Sequence, residues 1–146
     1  MKGINMKIVH GNLLEANEPI VHCISSDCTL GAGIAKTITQ KYGTKGKLYP
    51  YRIQIMSKFR NEGGFAVRTG NVINLVTKEH YYDKPTYHTL TQALEGLRNL
   101  LNQYNIKNIS MPAIGCGLDR LNLEEVKKII NEVFSDTDIN ITIYLK

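Results

Sequence analysis

No stretch of the chain approaches the roughly 20 consecutive apolar residues that a bilayer-spanning helix needs. The start, Met1-Lys2-Gly3-Ile4-Asn5-Met6-Lys7, lacks the apolar run of a signal peptide. A soluble, cytoplasmic protein with no membrane partner is expected. Cysteine is scarce: Cys23, Cys28 and Cys116 make an odd number with no Cys-x-x-Cys pair, which disfavours a disulfide framework and a zinc ribbon. Reduced, buried thiols near strand ends account for all three, and neither a metal nor a cofactor is expected. No Gly-Lys-Ser/Thr phosphate loop exists, and Gly31-Ala32-Gly33 meets Lys36 where a dinucleotide fingerprint needs its third glycine. Acidic residues are missing from Cys28 to Asn61, a segment that holds Lys36, Lys41, Lys45, Lys47, Arg52, Lys58 and Arg60. The whole chain carries +5, so everything outside this segment is net acidic. With Tyr42, Tyr49, Tyr51 and Phe59 interleaved, the segment suits a phosphate-bearing partner such as a nucleotide or a nucleic acid; a solvated basic face is the alternative.

What is present is ordinary globular material. At 146 residues, 42% hydrophobic and 21% charged, the chain fits one domain spanning 1–146, without repeats, low-complexity tracts or linkers. Runs at 6–10 and 19–24 are short and β-branched and read as buried strands. Ile34, Ala35, Ile38 and Tyr42 have helical spacing and stop at Gly43. Residues 65–68 and 72–76 flank Thr69-Gly70-Asn71 as a hairpin. Leu90, Ala93, Leu94, Leu97, Leu100 and Leu101 form the apolar stripe of a helix that follows Pro85 and Thr86 and ends near Tyr104. A strand at 108–112, a helix at 122–134 capped by Asn122 with Glu125 at the third position, and an alternating strand at 139–144 complete the chain. Strands interleaved with helices, plus one hairpin, predict an α/β layered fold with a mixed sheet.

In such a sheet, ligands bind beyond the carboxyl ends of the strands. Two loops there are rich in glycine. Gly31-Ala32-Gly33-Ile34 opens a helix whose first amides could hold an anion, and Gly115-Cys116-Gly117-Leu118-Asp119 follows a strand in the same way. Two glycine loops suit a diphosphate; the alternative for each is a tight turn needing positive φ. Lys78, at the end of the second hairpin strand, and Asp119 could be a functional pair or solvated surface charges, and Asn12 and Ser25 sit just past strands, where small polar residues also serve turns.

Together the motifs are specific where each alone is weak. Gly11-Asn12-Leu13-Leu14, His22-Cys23-Ile24-Ser25-Ser26-Asp27-Cys28 with Gly31-Ala32-Gly33-Ile34-Ala35, Thr77-Lys78, Lys84-Pro85-Thr86-Tyr87, and Met111-Pro112-Ala113-Ile114-Gly115-Cys116-Gly117-Leu118-Asp119-Arg120 occur in that order. Nearly the whole chain resembles the macrodomain family, and within it the terminal ADP-ribose protein glycohydrolase branch. The resemblance implies a three-layer α/β/α fold around a six-stranded mixed sheet, with ADP-ribose in a cleft at its top. It implies adenine near Asn12 and Leu13, the distal ribose near Ser25, and the diphosphate between Gly31, Gly33 and Ile34 on one side and Ala113, Ile114, Gly115, Cys116, Gly117 and Leu118 on the other. Lys78 would be the nucleophile and Asp119 the acid/base of an ADP-ribosyl hydrolase acting on mono-ADP-ribosylated acidic side chains, with O-acetyl-ADP-ribose as a related ester. ADP-ribosylated nucleic acid is an alternative substrate, and a non-catalytic ADP-ribose reader an alternative role. A monomer is expected. The sequence departs from the family at Asn12, often Asp, at Ala113, where a larger basic residue can occur, and at Lys146, where the end is apolar.

Overall fold

The structure is a computed structural model that describes residues 5–116 and 119–145. Gly117 and Leu118, both implicated by the family resemblance, and Lys146 lie outside the described residues.

Strands β1 (Asn5–His10), β2 (Ile20–Ser25), β3 (Phe65–Thr69), β4 (Val72–Lys78), β5 (Asn108–Pro112) and β6 (Asn140–Leu145) form one sheet in the order β1-β6-β5-β2-β4-β3. All neighbouring pairs are parallel except β3 with β4, where Thr69 pairs with Val72 across the two-residue turn Gly70-Asn71. This is the mixed sheet expected from the sequence, with its antiparallel element confined to an edge.

Helices cover both faces. The period-2 alternation of the central strands sorts their side chains: Val21, Ile73 and Leu75 pack with Leu90, Leu94 and Leu97 of α4 (Tyr87–Gln103) and with Val126 and Ile130 of α5 (Leu123–Phe134). Ile20, Ile24, Val72 and Val76 point the other way, onto Ile38 of α1 (Gly33–Tyr42), Leu48 of α2 (Thr44–Leu48) and Ile55 of α3 (Arg52–Glu62). Burial on both faces explains why β2 and β4 are nearly continuous apolar runs. Asn122 caps α5 as expected, accepting from Glu125 N at 3.2 Å.

The basic segment holds the main surprise. Residues 44–62 fold into α2, a short 3₁₀ turn over Tyr49–Tyr51 and α3, which the periodicity does not announce. Its aromatics are partly engaged within the molecule: the Tyr49 ring lies under both Arg52 (4.1 Å) and Lys45 (5.5 Å), and Lys41 lies over Tyr42. Arg60 is paired with Glu79. The segment is therefore a helical layer of the fold as well as a charged surface. Among the described residues, no helix is long and apolar enough to cross a membrane.

Candidate active site

Because five strands run in parallel, their carboxyl ends meet along one edge of the sheet, and the loops that leave them enclose a cleft of about 1430 Å³. Gly11–Leu14 come from the segment after β1, residues 29–35 from the loop after β2 and the first turn of α1, Tyr81–Lys84 from the loop after β4, Pro112–Cys116 with Asp119 and Arg120 from the end of β5 and the chain beyond it, and Tyr144 and Leu145 from β6. Every described residue that the sequence singled out lines this one cleft: Asn12, Leu13, Ser25, Gly31, Gly33, Ile34, Lys78, Ala113, Ile114, Gly115, Cys116 and Asp119. Of the basic segment, Lys45 reaches this cleft, and sequence reasoning passed over Thr37, Tyr81, Tyr82, Asp83 and Tyr144, which also line it. They belong to helix or strand stretches or to a loop without glycine, so no local signal marks them.

At the cleft wall Lys78 Nζ donates to Asp119 Oδ1 at 2.6 Å, with the two side chains only 14% and 17% exposed. The residues are 41 apart in sequence, and two features bring them together. First, β4 carries a bulge: Ile24 pairs with Val76, but Ser25 pairs with Lys78, so one β4 residue is skipped. The slip sets Lys78 directly beside Ser25 and re-aims the strand end. Second, the chain beyond β5 turns at Gly115 (φ +73), whose carbonyl accepts from Leu121 N at 2.6 Å. Asn122 N donates to the Tyr87 hydroxyl at 3.0 Å, tying the far end of that loop to the start of α4.

The glycine loops divide between the two roles weighed from the sequence. Gly33 (φ +59) and Gly115 occupy left-handed backbone, as a turn requires. Gly31 does not, and a Cβ there would meet nothing nearer than the Thr29 carbonyl at 3.9 Å. α1 begins at this loop with no side-chain cap on its N-terminus, whereas α4 and α5 are both capped by side chains. Among the described residues no side chain accepts from its first amides, which carry the positive end of the helix dipole at the cleft.

Two expected contacts acquire local duties. Asn12 Oδ1 accepts from Leu14 N at 3.0 Å and caps the 3₁₀ turn Leu13–Glu15, so its carbonyl is already in use within the loop. Leu13 is a core residue, packed with Ile20, Ile38 and Val72. Beneath the site, burial pushes the Cys23 thiol up to about 12, helped by the negative charge of Asp119, and burial raises Cys116 as well. Cys28 is pushed up to about 11, chiefly by burial. All three thiols are held in the unreactive protonated form at neutral pH. Among the described residues one group of donors, Glu79, His80 and Asp83, comes within 4.8 Å. Glu79 already pairs with Arg60, and Asp83 accepts from His80 N at 2.9 Å, so the group is knit together as a loop.

Comparison with known proteins agrees with this geometry. The Macro domain family model matches residues 21–130. The chain is 40% identical to the ADP-ribose glycohydrolase OARD1 of Bos taurus over 98% of its own length and 93% of that protein. It is 25% identical to a DNA ADP-ribosyl glycohydrolase of Thermus aquaticus, over 87% of this chain and 37% of that one. Among solved structures, the macrodomain of Thermus aquaticus DarG superposes with a TM-score of 0.83 at 20% identity, covering 99% of this chain and all of the other. A parallel-sheet cleft with two glycine loops, a family model over most of the chain and a full-length relative at 40% identity converge: the chain belongs to the macrodomain family.

Proposed function

We propose that this macrodomain is an ADP-ribosyl hydrolase that removes terminal mono-ADP-ribose from modified acidic side chains, with Lys78 as nucleophile and Asp119 as acid/base. The observation that carries the reading is the Lys78–Asp119 contact, which places an amine and a carboxylate in hydrogen-bond reach at the wall of a ligand-sized cleft. A protein that only binds ADP-ribose has no use for both groups. The 40% identity to a protein named for ADP-ribose glycohydrolase activity supports the same class of reaction.

In this reading the diphosphate lies on the amides of the Gly31–Ile34 loop and the α1 N-terminus, opposite Ala113–Cys116, where preorganised N–H groups stabilise negative charge at little reorganisation cost. The distal ribose then extends towards Ser25 and Lys78. Lys78 passes a proton to Asp119 and its amine attacks C1″ of that ribose. The bond from C1″ to the acyl oxygen breaks, and the target's carboxylate leaves with the electron pair. Water then adds at C1″ of the lysyl adduct and loses a proton to solvent, while Asp119 returns its own proton to the departing amine. The balance is one ester and one water giving a carboxylate, a proton and ADP-ribose. O-acetyl-ADP-ribose offers the same ester chemistry.

Intact-protein mass spectrometry after mixing with an ADP-ribosylated protein tests the pair. Lys78→Ala should lower release by about 10²-fold or more and carry no added mass, whereas Asp119→Ala should be slow and accumulate an ADP-ribose adduct. Full activity of Lys78→Ala would overturn the lysine mechanism and leave Asp119 activating water.

ADP-ribosylated nucleic acid is a second reading, favoured by Lys45, which brings the acid-free segment to the cleft itself. Release from an ADP-ribosylated oligonucleotide should then exceed release from protein and fall steeply with salt. Equal salt dependence on both substrates would count against it.

A further inference from the structure

Asp27, in the loop after β2, reaches across to the loop after β4 that follows Lys78, and neither the family motif nor the proposed chemistry gives it a task. Its Oδ1 accepts from the hydroxyl of Ser25, the last residue of β2, and from Thr29 N (3.3 Å) and the Thr29 hydroxyl (3.3 Å) in the loop after it. Its Oδ2 accepts from Tyr81 N at 2.8 Å, in the loop after β4. One carboxylate thus gathers four donors from the ends of two neighbouring strands and the loops that follow them. The backbone around it is fastened to the same strand end: Ser26 N donates to Lys78 O at 2.8 Å, Asp27 N to Glu79 O at 3.2 Å, and the Ser26 hydroxyl to Glu79 O at 2.7 Å.

From this arrangement we infer that Asp27 is a positioning residue that fixes the polarity of Ser25. A serine hydroxyl has one proton and two lone pairs, and an ionised carboxylate can only accept. With its proton committed to Asp27, Ser25 offers the cleft only lone pairs. The group it recognises must therefore be a donor: a sugar hydroxyl fits, and a phosphate oxygen, which would need a donor, is turned away. Ser25 is 5% exposed, lines the cleft and sits opposite Lys78 in the β2–β4 ladder, so this polarity sorts ligand groups at the point where the proposed attack occurs. The inference rests on the proposed function and refines it: the hydroxyl of the distal ribose, not the diphosphate, is read at Ser25. Through Tyr81 N the same carboxylate holds the exposed Tyr81-Tyr82 pair at the cleft mouth, 64% and 69% exposed.

The test is calorimetric titration of ADP-ribose, and of analogues with each distal-ribose hydroxyl singly replaced by fluorine, into the wild-type chain and the variants Ser25→Ala, Asp27→Ala, Asp27→Leu, Asp27→Asn and the Ser25→Ala/Asp27→Ala double. Thermal melts report folding. Fluorine accepts but cannot donate, so one analogue should bind wild type about tenfold or more weaker than ADP-ribose. That discrimination should vanish in Ser25→Ala and shrink in Asp27→Ala, where the freed hydroxyl can turn its proton towards fluorine. A merely structural role of Asp27 would lower all affinities together and leave the discrimination intact. The double variant should bind ADP-ribose within about twofold of Ser25→Ala, because Asp27 acts through the Ser25 hydroxyl and has nothing left to orient once that is gone. Should Asp27→Ala lose its cooperative melt, Asp27→Leu, which keeps the bulk but accepts from nothing, decides by the same reduced discrimination, while Asp27→Asn, whose amide oxygen still accepts the Ser25 proton, should retain it. Fluorinated analogues that all bind like ADP-ribose, or losses that multiply in the double variant, would overturn the inference. Binding without turnover in the wild type would sink the hydrolase reading while the affinities still decide the role of Asp27; no ADP-ribose binding at all would end both.

Discussion

At Gly31 the backbone asks nothing special of the residue, and at Gly115 it does. Gly31→Ala should therefore leave stability within about 0.5 kcal/mol of wild type while weakening ADP-ribose, because only a ligand passing close to the backbone needs the missing side chain there. Gly115→Ala adds a Cβ at φ +73 that would stand 2.8 Å from Leu121 Cδ1, and should cost about 1–2 kcal/mol. Paired denaturant melts and ADP-ribose titrations separate the two. Equal destabilisation would show that Gly31, too, is a turn residue. At this scale the sequence offered the right residue types but could not divide their work: Asn12 was marked by its position after a strand, and only the fold shows its carbonyl engaged with Leu14 N. Asp27 stands within a family motif that gives it no role, since its four donors come partly from a loop 54 residues away.

The start of α4 shows the same coupling at the level of elements. Thr86 and Thr89 form a reciprocal capping box, and the Thr89 hydroxyl also donates to Thr77 O at 2.7 Å, next to the bulge that re-aims Lys78. Thr86→Ala removes a cap and should cost about 1 kcal/mol without slowing hydrolysis. Thr89→Val keeps the shape and the bond from its backbone N to the Thr86 hydroxyl but loses the reciprocal half of the box and the tie to β4, and should both destabilise by about 1–2 kcal/mol and reduce turnover. Urea midpoints with steady-state rates check this, and equal rates in the two variants would deny the tie any part in holding Lys78. The elements themselves were legible wherever burial imposes a period. α4, α5 and α1 show apolar stripes, and β4 and β5 are β-branched or apolar runs between turn residues. α2 and α3 were not legible, because Pro50 and the flanking tyrosines interrupt the pattern and only Leu48 and Ile55 of the apolar side chains in these two helices are deeply buried. The bulge was invisible because it is a property of two paired strands.

Across the molecule, one buried group links the core to pH. His22 sits inside the sheet's α1–α3 face, its Nε2 2.6 Å from Asn74 Oδ1, and burial pushes its pKa down from 6.5 to about 4 against the opposing pull of that hydrogen bond. Between those values the unfolded chain binds the proton and the folded one does not, so stability is intact above about pH 6.5 and falls as pH drops towards about 4, by up to about 1.4 kcal/mol per unit. Urea unfolding at pH 7, 5.5 and 4.5 should show that slope in the wild type and a shallower one in His22→Gln, whatever the latter's stability at pH 7; parallel curves would rule His22 out as the source. Composition, periodicity and turn chemistry determined the α/β class, the two-sided burial of the central strands and the loops in which a ligand site could lie, because each is dictated by residues adjacent in the chain. The contact between Lys78 and Asp119, the register slip that sets Lys78 beside Ser25, the latch at Asp27 and the folding of the basic segment into a helical layer were decided only by tertiary structure. Each depends on which strands pair and in what register, and that follows from packing the two faces of the sheet at once.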